Sequence, residues 1–106
     1  MNARTKRLFN ARARILKAMA HPTRLFMVEQ LAAGPRCVCE LARMAGADVS
    51  TVSRHLNILK NAGIVSDDKR GLQVFYSLRC FCVLNFVLCV EGVLKANARE
   101  QFALVR

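Results

Sequence analysis

Two short amphipathic runs stand back to back in the middle of the sequence, and their spacing leaves few folds open. From Cys37 to Ala45 the pattern puts Leu41 and Met44 on one helical face and stops at Gly46, a residue suited to the left-handed position that ends helices. After Gly46-Ala47-Asp48, the residues Val52, Leu56 and Leu59 make an i, i+4, i+7 stripe, with Asp48 as a good N-cap in front of it. Asn61-Ala62-Gly63 ends this second run. Two short helices joined by so tight a turn fit a helix-turn-helix.

The flanks complete the pattern. Lys6 to Ala20 is helical, with Leu8, Ile15, Leu16 and Met19 at helical spacing among basic residues. His21-Pro22 breaks it and opens a helix through Leu25, Val28 and Leu31, with Pro22 at the first position, where a missing N–H costs little. Gly34-Pro35 stops that helix. After the central pair, Ile64 to Ser66 and Leu72 to Tyr76 read as strands around the polar stretch Asp67 to Gly71. A last helix, Cys80 to Phe102, is apolar nearly all round at its start, as expected of a helix covered by its own core and by a second subunit. The expectation is a single domain over residues 1–106, mainly α with a small β-hairpin. Its order is four helices, two strands and a final helix, a winged helix-turn-helix.

Composition narrows the partner. Seventeen Lys and Arg against seven Asp and Glu give +10, and the first 24 residues carry seven bases and no acid. Such an excess favours a polyanion, with double-stranded DNA ahead of an anionic membrane on this fold. The chain is 54% hydrophobic, high for a small monomer, which points to a subunit contact. The alternation of bases with apolar residues over 1–20 gives no signal peptide, and Cys80 to Val90 is too short to span a bilayer. Five cysteines, an odd number, then read as thiols of a cytoplasmic protein.

The second central helix exposes Ser50, Thr51, Ser53, Arg54, Asn57 and Lys60 opposite its stripe. Short hydroxyls and amides approach base edges, Arg pairs with guanine and Lys with phosphate. Lys69 and Arg70 in the hairpin are placed to reach backbone phosphates. His55 reads equally as a boundary histidine or a phosphate contact.

The run Ser53-Arg54-His55-Leu56-Asn57-Ile58-Leu59-Lys60-Asn61-Ala62-Gly63-Ile64-Val65 resembles the recognition helix of the ArsR/SmtB family of metal-responsive repressors. His21-Pro22-Thr23-Arg24-Leu25 is similar to the family's opening of the second helix, and Val74-Phe75-Tyr76-Ser77-Leu78 to its second wing strand. The resemblance implies a homodimer paired through the first and last helices and bound to an inverted repeat, so that protein and operator share a two-fold axis.

Cys37-Val38-Cys39, followed by Glu40-Leu41, resembles the Cys-Val-Cys-Asp-Leu sensor motif of the family's arsenic-responsive members. The resemblance implies that Cys37 and Cys39 bind arsenite or antimonite as an inducer that releases DNA, with no cofactor needed for DNA binding itself. A helix start lowers thiol pKa values and favours the thiolate that a soft ion takes. Residues two apart on a helix diverge by roughly 200°, so both sulfurs reach one ion only if the helix start unwinds. Where arsenic sensors often carry a third cysteine this chain has Ala42, and the zinc-sensing pattern of the last helix is broken by Val93 and Ala96. Cys80 and Cys82 form a candidate second pair, whereas Cys89 reads as a packing residue.

Other readings stay open at this point: cadmium, lead or copper(I) as inducer, a thiol redox sensor, or a winged helix that binds only protein. An enzyme is not expected, because no Cys-x-x-Cys within a βαβ pattern, Ser-His-Asp set or paired carboxylates stand out.

Overall fold

The computed structural model describes residues 1–105. Helix α1 spans Ala3–Met19, started by the Asn2 side chain, which accepts the Thr5 N–H at 2.8 Å. Helix α2, Pro22–Leu31, follows at once; the His21 ring caps it by accepting the Thr23 N–H at 3.1 Å. Strand β1 is only Arg36–Cys37, and helix α3 is Val38–Ala45. Gly46 in the left-handed region (φ 67°) turns the chain into helix α4, Val49–Asn61. Strands β2 (Val65–Arg70) and β3 (Gln73–Leu78) form the wing, and helix α5 runs Cys82–Val105.

The expected winged helix-turn-helix is found, and four local features differ from the sequence reading. A strand, β1, stands between the second and third helices, and the sheet is antiparallel with β3 in the middle, Cys37 opposite Phe75 and Val65 opposite Leu78. Cys37 is therefore extended (φ −78°, ψ 159°) and lies just outside α3 rather than in its first turn. The polar stretch Asp67 to Arg70 is strand, paired out to Arg70 opposite Gln73, which leaves only Gly71-Leu72 for the turn. A two-residue turn needs a left-handed residue, which Gly71 supplies at φ 63°. Met44, expected inward, is exposed, because α3 ends one residue later and only Leu41 and Ala42 reach the core.

That core includes Ala18 and Met19 from α1, Met27, Val28 and Leu31 from α2, Leu41 and Ala42 from α3, Val52, Leu56 and Leu59 from α4, and Ile64, Val65, Tyr76 and Leu78 at and within the wing. Each α4 member of the set is fully buried. Helix α5 behaves differently. Val83 and Val87 pack against the core, but none of its residues is buried, and Phe86, Leu88 and Val90 are exposed. No helix among the described residues is long and apolar enough to cross a membrane.

A polar strap locks α4 to the first two helices. The Arg24 Nε donates to the Ala18 carbonyl at 2.6 Å, while its Nη1 lies 3.1 Å from His55 Nδ1. The His21 and His55 rings sit 4.4 Å apart. Burial, then the charges of His21, Arg24 and Arg54, hold the His55 imidazole below its ordinary pKa. The neutral ring is thus the folded form, and an unfolded chain takes up the proton first as pH falls. Stability should be fully present above about pH 6.5 and decline as pH drops below that value. Thermal melts from pH 7.5 to 5.5 should show this decline in the wild type and a flatter profile in His55→Gln.

Candidate nucleic-acid interface

Helix α4 is presented by two devices. Its buried stripe fixes rotation about the helix axis, and Asp48 fixes its start by accepting the Thr51 N–H at 2.7 Å and the Ser50 hydroxyl at 3.0 Å. The hydrogen bonds from Thr51 hold the Asp48 carboxyl below its usual range. The same stripe sends Ser50, Arg54, Asn57 and Lys60 to the exposed side, while Thr51 and Ser53 are half-buried at its edge. Arg54 rests 3.4 Å from the Thr51 hydroxyl, a contact weak enough to yield to a base or phosphate.

The wing brings two carboxylates that the sequence reading gave no role. Lys60 Nζ lies 2.9 Å from Asp67, and the Arg70 Nε lies 3.1 Å from Asp68 with its guanidinium over the Phe75 ring. The Asp67 contact raises the Lys60 pKa. Two of the expected phosphate contacts are therefore held by the protein's own acids, while Lys69 and Arg54 enter no ion pair among the described residues. The signal lay in Asp67-Asp68: alternation along β2 sets Asp68 on the same face as Arg70, and the wing carries Asp67 to Lys60 of α4.

The cysteines fall into three settings. Cys37 is buried, and its sulfur caps α3: it accepts the Glu40 N–H at 3.4 Å and donates to the Glu40 carboxylate at 3.5 Å. Cys39, two residues further on in the first turn of α3, is exposed. Both border a surface cavity of about 260 Å³ whose other walls are Val38, Val49 and Ser53 with Leu72 to Val74 of the wing. Two soft donors at one cavity suit a thiophilic ion, but no cluster of three His, Cys, Asp or Glu occurs among the described residues. Cys80 precedes α5 and Cys82 opens it, with their sulfurs 2.6 Å apart and both exposed. The shared hydrogen bond lowers the Cys80 pKa and raises that of Cys82. Cys89 is exposed on α5, not packed in the core as its sequence setting suggested.

A capped, rotationally fixed helix with a polar face, preceded by a short helix and flanked by a β-hairpin, defines a winged helix-turn-helix regulator. Residues 21–67 match the family model described as bacterial regulatory protein, arsR family. The transcriptional repressor BigR from Xylella fastidiosa is 30% identical in structural alignment, with a TM-score of 0.73 over 88% of this chain and 96% of that one. The homodimeric winged helix-turn-helix DNA-binding domain from Mycobacterium bovis superimposes with a TM-score of 0.79 at 28% identity, over 94% and 93% of the two chains. A cadmium resistance transcriptional regulatory protein, the CadC homolog of Staphylococcus aureus, is 39% identical over 67 residues, 62% of this chain and 55% of that one. The chain belongs to the ArsR family of bacterial regulators. It spans 55% to 62% of the length of the mycobacterial regulators that it matches.

The cap makes a direct prediction about the site. Asp48→Ala removes the acceptor for the first turn of α4 and should lower the melting temperature by several degrees, whereas Asp48→Ser should retain most of the stability. Calorimetry of the two variants beside the wild type checks both.

Proposed function

We propose that residues 1–106 act as one cytoplasmic unit, a homodimeric transcriptional repressor that binds operator DNA through α4 and the wing and releases it on binding a thiophilic metal or metalloid. The observation that carries DNA reading is the α4 face, where Ser50, Arg54 and Asn57 stand exposed directly opposite three fully buried residues. Arg54 reads a base and Lys69 meets phosphate. Replacing Arg54 with Ala should cost roughly 1–3 kcal/mol on the operator, while Lys69→Ala should weaken all duplexes alike and lower the salt slope by about one unit. Titrations at several salt concentrations separate the two, and an unchanged operator affinity in Arg54→Ala would refute the assignment.

The dimer is supported by the uncovered apolar side of α5 and by the homodimeric M. bovis relative. Leu88→Glu should give monomers or aggregates in sedimentation and abolish tight operator binding. A wild-type monomer at micromolar concentration that still binds a palindrome tightly would count against the dimer.

For the inducer, we favour Cys37 and Cys39, with arsenite or antimonite as the species and cadmium, lead or copper(I) as competitors. The name of the staphylococcal cadmium resistance regulator supports a soft ion in general. The cap offers a mechanism through the chain's own atoms. The Cys37 sulfur gives up its proton on ligation, so its donation to the Glu40 carboxylate is lost and a thiolate then faces that carboxylate. This disturbs the first turn of α3, the helix on which α4 is packed. DNA and inducer would then prefer different conformations, as negative linkage requires. Serine is a preferred N-cap, so Cys37→Ser should fold and bind DNA normally yet stay on the operator at arsenite concentrations that release the wild type. Cys39→Ser should behave the same way. Release of both variants at wild-type arsenite concentrations would defeat this assignment.

The Cys80–Cys82 contact favours one second reading, a redox sensor. There, a peroxide takes two electrons and two protons from the thiols to give a disulfide and two waters. Mass measurement after mild peroxide, with and without arsenite, distinguishes it. Cys80→Ser and Cys82→Ser serve as controls for sensing at α5.

A further inference from the structure

The surface proposed to meet DNA carries little net charge. From residue 48 to residue 78, which covers α4 and the wing, four bases stand against three acids. Two of those bases are already paired, Lys60 with Asp67 and Arg70 with Asp68. Phosphate attraction dominates the affinity of proteins for duplex DNA, and a nearly neutral surface supplies little of it. Yet the whole chain carries +10.

Helix α1 holds six of those cations and no acid. At about 100° per residue, Lys6, Arg7, Asn10, Arg14 and Lys17 fall within an arc of roughly 100°, and Leu8, Ile15, Leu16 and Met19 fall on the opposite side. All five polar residues are exposed. No α1 cation enters an ion pair among the described residues. Arg14 and Lys17 share a surface cavity of about 340 Å³ with Ile58, Asn61 and Ala62, so the basic face runs into the far end of α4.

We propose that the basic face of α1 is a second DNA-contact surface, which grips the phosphates beside the bases read by α4. The proposal rests on the DNA-binding reading above and adds the surface from which most of the affinity comes. From Lys6 to Lys17 the helix rises about 16 Å, room for several phosphates of one strand. Contacts of this kind set affinity and register but carry no sequence information. A basic amphipathic helix also suits an anionic bilayer, but only by burying its apolar face in lipid. Here the C-terminal part of that face is committed to protein: Met19 is in the core, Ile15 packs against it, and Leu16 lines a groove with Phe86 and Val90 of α5, while Leu8 nearer the helix start stays exposed. The basic side is exposed along its whole length.

The test compares wild type with the Arg14→Gln/Lys17→Gln double variant on a random-sequence duplex and on an operator selected with the wild type. Two lost phosphate contacts should reduce the salt slope by about 1.8 per protomer, equivalent to about 30-fold in affinity at 0.15 M salt. Both affinities should fall together, so that the ratio of operator to random binding stays unchanged. Arg14→Lys should restore the slope, and Lys6→Gln/Arg7→Gln at the other end of the same face should reduce it again. Matching melting temperatures and sedimentation show that fold and assembly are intact. A double variant with the wild-type slope overturns the proposal and leaves the α4 reading standing. So does a variant that keeps its DNA affinity but loses binding to phosphatidylglycerol vesicles. A wild type with no salt-dependent affinity for either duplex overturns both readings.

Discussion

The burial of Val52, Leu56 and Leu59 is the constraint on which the rest of the structure depends. Burying three such side chains contributes on the order of 5 kcal/mol, far more than any polar contact that α4 makes. Their period leaves no freedom in rotation about the helix axis. The polar residues of α4 are thus displayed by default, on the side that the core does not want. The Arg24 strap and the Asp48 cap refine this placement, and neither could create it.

The core also explains how chemistry at α3 can reach α4. Helix α3 has eight residues and anchors itself with Leu41 and Ala42. It depends on Cys37 at one end and Gly46 at the other for its shape. A helix so short has little internal cooperativity, so a change at its cap is felt along its whole length. Cys37 is held from the far side as well, by pairing with Phe75 in the wing strand β3. One residue therefore touches the scaffolding of both elements proposed to contact DNA.

What the sequence disclosed, and what it hid, follows the range of the forces involved. Helices α1, α2 and α4 were legible because their apolar period and caps are local. Strand β1 was not, because two residues carry no period and their extended form exists only through partners about forty positions away. The same pairing carried β2 through Asp67 to Arg70, a stretch that looks like a turn by composition. The α4 face was readable residue by residue, but the neutralisation of Lys60 and Arg70 was not, since one pair needs the wing packed beside α4 and the other needs Asp68 and Arg70 to lie in a strand rather than a turn. Contact between the Cys80 and Cys82 sulfurs depends on the geometry of a helix start, which no spacing rule reveals.

Helix α5 has a consequence that concerns quantity rather than shape. It is 24 residues long, contributes no buried residue, and would be only marginally helical if released from its neighbours. Its order must be borrowed from whatever covers it, and a cover made of a second copy is available in proportion to copy number. Were that cover a second copy, as proposed above, the folded fraction would rise with the chain's own concentration, and dilution would melt it at a temperature where a concentrated sample stays ordered. A cell making few copies would hold a less complete molecule than one making many, with no change of sequence or ligand.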